Sequence, residues 1–107
     1  LQAAEQLEDM EGISAEVIDL RTISPLDVET LTVSVARTGR AVVIDESPPR
    51  CGIASEVAAV VTEAVFDRLQ SPIARVTAAN SPVPFSPPLE DAYLPSVDDV
   101  VRAAMRM

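Results

Sequence analysis

Apolar and polar positions along the chain change period several times, and each change marks an element. Between Leu1 and Glu11 the apolar residues Ala3, Ala4, Leu7 and Met10 recur at helical spacing, and Gly12 follows as a stop. Ala15 to Leu20 is short and β-branched and predicts a strand. Ser24-Pro25-Leu26-Asp27 predicts a helix start, with a hydroxyl cap, Pro at the first position and an acid in the first turn. Leu26, Val28, Leu31 and Val35 give that helix its apolar side, and Thr38-Gly39 ends it. Ala41 to Ile44 is apolar without alternation, the pattern of a central strand covered on both faces.

Pro48-Pro49 cannot continue a ladder, so the strand ends before them. A long helix follows from about Ile53 to Leu69, with Val57, Val60, Val61 and Ala64 as its strongest face. Its opposite stripe reads Glu56, Ala59, Glu63, Phe66 and Gln70. Phe66 on that stripe is expected to be covered by a neighbouring loop, with contact to another chain as the alternative. Ile73 to Thr77 predicts the last strand. The run from Ala78 to Pro95 holds Pro82, Pro84, Pro87, Pro88 and Pro95, too many for regular structure. Ser96-Val97-Asp98-Asp99 caps a final helix with Val97, Val100, Val101 and Ala104 on one face. Strands alternating with helices predict an α/β fold, a mainly parallel sheet between two helical layers.

Composition narrows the function classes. The chain has 107 residues, enough for one domain with one core. Its net charge of −9 argues against nucleic acid and against anionic membrane surfaces as partners. There is no His, which removes Ser-His-Asp and Cys-His catalysis. The one cysteine, Cys51, excludes an internal disulfide. The chain opens on Leu1 inside a helical pattern and is expected to be a piece of something longer.

Three places carry candidate chemistry. Asp45-Glu46 ends a central strand, where open α/β sheets place ligands, and adjacent carboxylates can hold a metal or exchange protons. Without a His or a third acid at fixed spacing, they read better as strand-end residues holding the next loop. Cys51 precedes a helix N-terminus, where the dipole can lower a thiol pKa, but a nucleophile needs a base and Arg50 cannot serve. Cys51 is therefore expected to be structural, and Gly52 to be present for its backbone freedom. Glu90-Asp91 has no local explanation and can face a basic partner, with solvated surface as the blander reading.

The order of phrases resembles a known family. Glu16-Val-Ile-Asp-Leu-Arg-Thr-Ile-Ser-Pro-Leu-Asp27 leads into Ser34-Val-Ala-Arg-Thr-Gly-Arg40. Val42-Val-Ile-Asp-Glu46, Gly52-Ile-Ala-Ser-Glu-Val57 and Ser71-Pro-Ile-Ala-Arg-Val-Thr77 follow, then Pro82-Val-Pro-Phe85 and Leu89-Glu-Asp91. Together they resemble the transketolase-like C-terminal domain of the β subunit of thiamine diphosphate-dependent 2-oxo acid dehydrogenases, the E1 component. The resemblance spans residues 1–107 and implies a three-layer α/β/α sandwich.

It also implies a whole enzyme that decarboxylates pyruvate or a branched-chain 2-oxo acid and acylates a lipoyl group, in the bacterial cytoplasm or the mitochondrial matrix. Thiamine diphosphate and Mg²⁺ would be bound by other domains, leaving this one with no catalytic, cofactor-binding or metal-binding residue. Its implied work is β–β and α–β contact in an α2β2 assembly and docking of the lipoyl acyltransferase (E2). Candidate contact residues are Asp45, Glu46, Phe66, Gln70, Glu90 and Asp91. Gln70 stands where family members often carry Asp. The family domain has further strands before the Leu1 helix, so the chain is expected to be truncated at its N-terminal side, with open edges on the Ala15–Leu20 and Ala41–Ile44 strands. Rival readings are the same domain in another transketolase-like enzyme, a small α/β enzyme using Asp45, Glu46 and Cys51, and a flavodoxin-like regulatory module with Asp45 as acceptor. The last of these lacks the Lys that such a module needs.

Overall fold

The computed structural model describes residues 1–22, 24–46, 50–78 and 94–107. Helix α1 (Gln2–Glu11) is followed by α2 (Val28–Thr38), strand β1 (Val42–Ile44), α3 (Ile53–Val65), β2 (Ala74–Val76) and α4 (Val97–Met105). A single 3-10 turn, Phe66–Arg68, closes α3. The two strands pair in parallel, Val42 opposite Ala74 and Ile44 opposite Val76, so β1, α3 and β2 form one crossover unit.

The helices pack on both faces of this small sheet. On one face α2 and α3 bury Leu31, Val35, Val57, Val61 and Val65 against each other, and Ala41, Val43 and Ile73 close the cluster from the sheet side. On the other, α4 packs on both strands and on α1. Leu7 of α1, Ala103 of α4 and Val76 of β2 are buried. This is the expected α/β/α layering.

Both glycine stops hold: Gly12 at φ 66° and Gly39 at φ 76° end α1 and α2 in the left-handed region that favours glycine. The start of α2 differs from expectation. Its cap is Asp27, whose carboxylate accepts from the Thr30 backbone N–H at 3.1 Å and the Thr30 hydroxyl at 2.7 Å. Residues 24–26 form a turn ahead of it. Asp reaches two donors from that position, so the carboxylate outcompetes the earlier Ser-Pro start.

The predicted strand at Ala15–Leu20 is not a strand. Its alternation is nevertheless present: Ile18 and Leu20 are half-buried against the core while Val17 and Asp19 are exposed. A strand also requires a neighbour for its N–H and C=O groups, and among the described residues only β1 and β2 are laddered. The stretch is held by packing of Ile18 and Leu20 on the core and by the ion pair of Glu16 with Arg37. The β1 expectation also changes in degree, because Val42 and Val43 are only half-buried and Ile44, at the end of the strand, is 55% exposed.

The long helix is shorter than predicted and rotated slightly. Ala54, Val57, Val61 and Val65 are its buried positions, while Val60 is half-buried and Ala64 exposed. The expectation for the proline run, apart from Ala78 and residues 94–95, falls outside the described residues.

The final helix starts as its sequence predicts. Ser96 and Asp99 form a reciprocal capping box, with the Asp99 N–H donating to Ser96 Oγ at 3.1 Å and the Ser96 N–H to Asp99 Oδ2 at 3.0 Å. Replacing Ser96 by Ala should lower unfolding free energy by about 1 kcal/mol, read from urea midpoints at constant slope. Hydrogen bonds from Thr30 hold Asp27 below the usual Asp pKa, and those from Ser96 do the same for Asp99. A depressed folded-state pKa stabilises the fold above the ordinary Asp value and loses that contribution as pH falls through it and below. Acid titration of stability should therefore show a loss beginning near pH 3.8, the unperturbed Asp value. Asp27→Asn with Asp99→Asn should flatten that loss.

Candidate functional site

Of the six residues expected to face a partner, the four that are described fall in two places. Asp45 and Glu46 leave the C-terminal end of β1. The Asp45 N–H donates to the Val76 carbonyl at 3.0 Å and extends the ladder by one rung. Asp45 is half-buried and Glu46 exposed. Beyond them Arg75, on β2, donates to the Ser55 hydroxyl in the first turn of α3 at 2.7 Å and ties strand to helix. Among the described residues no three His, Cys, Asp or Glu side chains gather as metal ligands.

Cys51 and Gly52 exchange their expected roles. Gly52 has ordinary extended dihedrals, φ −89° and ψ 167°, as the cap of α3. The left-handed residue is Cys51, at φ 57°. Its thiol is exposed. Gly52 follows a turn rather than making it, and Cys51 carries the strain that L side chains rarely accept.

Phe66 and Gln70 come together at the opposite end of α3. α3 has 13 residues, about 20 Å of helix, so this place is well separated from Asp45-Glu46. Phe66 is 73% exposed and no loop among the described residues covers it, contrary to the expectation from its helical stripe. The reason lies in the 3-10 turn that begins at Phe66, which turns the chain off the helix before the ring can be enclosed. Beneath the ring an open groove of about 840 Å³ runs between α3 and residues 69–73, lined by Ala58, Ala59, Thr62, Leu69 and Pro72. Glu63 is its charged residue. Gln70 stands on its rim, its backbone N–H bonded to the Gly39 carbonyl at 2.8 Å.

Sequence reading missed a second, smaller hollow of about 270 Å³ on α2, bordered by Glu16, Glu29, Thr30, Val33 and Arg37. The Arg37 guanidinium pairs there with the Glu16 carboxylate. Val33 was legible as an apolar residue off the buried face of α2, and it is 60% exposed. Glu90 and Asp91 lie outside the described residues.

Known proteins share this sequence throughout. The family model of the transketolase C-terminal domain matches residues 1–100. The β subunit of an acetoin:2,6-dichlorophenolindophenol oxidoreductase from Bacillus subtilis is 49% identical over all of this chain and 31% of its own length. A mitochondrial pyruvate dehydrogenase E1 component subunit beta-2 from Oryza sativa is 49% identical over 99% of this chain and 28% of its own. The Bacillus subtilis pyruvate dehydrogenase E1 component subunit beta is 44% identical over all of this chain and 32% of its own. The chain thus spans about three-tenths of the length of these curated relatives. No described helix is long and apolar enough to cross a membrane. With the family model running from the first helix into the last and the helices layered on both faces of a parallel sheet, the chain belongs to the transketolase C-terminal domain family.

Proposed function

We propose that the chain is the assembly and docking domain of the β subunit of an E1 component, in a thiamine diphosphate-dependent dehydrogenase. The whole enzyme oxidatively decarboxylates a 2-oxo acid, pyruvate or a branched-chain one, and transfers the acyl group to lipoyl. The observation that carries this reading is identity of 44–49% running through the whole chain to subunits named as pyruvate dehydrogenase E1 β. The names of two relatives, at 49% and 50% identity, favour a second reading in which acetoin is the substrate. The enzyme works in the bacterial cytoplasm or the mitochondrial matrix.

The residues support a domain that does no chemistry itself. It has no His and only three glycines, too few for a glycine-rich phosphate loop. Its strand-end carboxylates, Asp45 and Glu46, have no third acidic partner among the described residues. Thiamine diphosphate and Mg²⁺ are held by other domains of the enzyme. The exposed side chains are compatible with assembly: Met10, Val17, Val33, Ile44 and Phe66 are each more than half exposed and so accessible to a partner subunit. β–β and α–β contacts cover part of it. The open edge of β1 takes a further strand from the subunit's preceding segment.

The acyltransferase docks at the Phe66 groove. Aromatic anchors beside shallow apolar hollows are the usual centres of binding energy. The groove has a carboxylate and no cation among its lining residues, on a chain of net charge −9, so it favours a basic partner.

Full-length β subunit combined with its α subunit should release CO₂ from pyruvate or a branched-chain 2-oxo acid, or reduce dichlorophenolindophenol with acetoin. The isolated chain should turn over none of them. Turnover by the isolated chain that disappears in Cys51→Ala would overturn the assignment in favour of a small self-contained enzyme. In the assembled enzyme, Phe66→Ala should weaken binding of the acyltransferase's subunit-binding region at least tenfold, about 1.4 kcal/mol, by calorimetry. The pair Glu90→Lys and Asp91→Lys should weaken it at low salt. Unchanged affinity in either variant removes those residues from the contact.

A further inference from the structure

The rim of the Phe66 groove is built on a glycine two elements away. Gly39 ends α2 at φ 76°, and its carbonyl receives the backbone N–H of Gln70 at 2.8 Å. The side chain of Gln70 then lies across the face of Gly39 where other residues carry a Cβ. A Cβ placed there would stand 3.0 Å from Cγ, Cδ and Nε2 of Gln70, tighter than nine in ten such contacts in folded proteins, so the Gln70 side chain would have to give by a few tenths of an ångström. Glycine at this position therefore does two jobs. Its freedom at positive φ ends the helix, and its bare Cα makes room for an amide side chain from the far side of α3.

The second job is separable from the first. Gly12 ends α1 with the same left-handed geometry, and a Cβ there would meet nothing within 4 Å. The close approach at Gly39 is thus a property of its place beside Gln70. We infer that Gly39 is the positioning residue for Gln70, seating its side-chain amide on the groove's rim at the height where a docking partner meets it. The amide is flexible at its far end, so a Cβ at position 39 displaces it while the helices keep their packing. The groove would keep its apolar floor, Ala58, Ala59 and Leu69, and lose the placement of its polar rim.

The occupant is the same as in the proposed function, and the inference rests on that reading for its consequence in binding. It is a basic partner segment with an apolar side chain for the floor, since Glu63 is the groove's charged group and Gln70, which also lines it, carries an amide acceptor.

The test uses the full-length subunit assembled with its α partner, in five forms: wild type, Gly39→Asn, Gly39→Ala, Gln70→Ala and Gly39→Asn with Gln70→Ala. Asn tolerates the left-handed region better than Ala does, so Gly39→Asn adds the Cβ with less strain and guards against a misfolded Ala variant. Hydrogen exchange at the Gln70 amide reads the seat without any partner. It should quicken on the order of tenfold in Gly39→Asn and more in Gly39→Ala, and return toward wild type when Gln70→Ala removes the crowding atoms. Affinity for the acyltransferase's subunit-binding region should fall by the same factor in Gly39→Asn, in Gln70→Ala and in their combination, because both changes remove one placed amide. If exchange in the double variant stays as fast as in Gly39→Asn alone, backbone strain is the whole effect and Gly39 does not position Gln70. If exchange shows the coupling but no variant changes affinity, Gly39 seats Gln70 as inferred and the docking reading fails instead.

Discussion

The contact between α2 and α3 is the one on which the rest of the fold depends. Leu31 and Val35 from one helix meet Val57, Val61 and Val65 from the other, and burial of each such side chain is worth about 1.5–3 kcal/mol. Nothing else in the described chain gathers as much apolar surface in one place. The sheet beneath is only two strands of three residues, too small to stand without helices upon it. Thr and Val lower the intrinsic helix propensity of α2, so that helix in turn relies on the contact. Helix and sheet therefore stabilise each other through a single cluster, and Ile18 and Leu20 lean on its edge.

That economy leaves several large apolar side chains exposed on an acidic chain. Two strands present little area, so helices that reach past the sheet end over solvent. Ile44 and Phe66 lie at opposite ends of α3 and are both largely exposed. The net charge of −9 keeps such a surface soluble by repulsion between copies, and it selects which proteins can approach. Acidity and exposed apolar side chains are together compatible with the basic partner proposed above.

Much of this was legible in the residues, and the exceptions have identifiable causes. Helical periodicity and the two glycine stops located α1 and the end of α2, because local geometry alone determines them. The Ser96–Asp99 box was readable for the same reason. The start of α2 was misread because Ser24-Pro25 and Asp27 both carry start signals, and only the geometry shows which side chain reaches Thr30. Ala15 to Leu20 has a strand's alternation, but ladder formation depends on a neighbour that no local pattern reports. Positive φ at Cys51 went unseen since the adjacent Gly52 was the natural candidate for it. The exposure of Phe66 depends on where α3 gives way to a 3-10 turn, and the continuing helical stripe hid that break. The packing of Gln70 on Gly39 joins residues 31 positions apart and left no trace in spacing.

The placement of the candidate partner residues limits how they can act together. Asp45 and Glu46 stand at one end of α3, and Phe66 and Gln70 at the other, about 20 Å apart along the helix. An extended peptide needs at least about six residues to bridge that distance at some 3.3 Å each. It would have to run the length of α3, whose outward stripe places Glu56 and Glu63 between the two ends, both exposed. A basic segment can follow such a track, whereas a compact partner seated on Phe66 reaches only one end. On the proposed docking reading, the acidic strand end and the aromatic groove are two separate candidate contacts: the groove has apolar lining residues, and the strand end offers charge. On that reading specific recognition would belong to the groove, because charge steers a partner but does not fix its orientation.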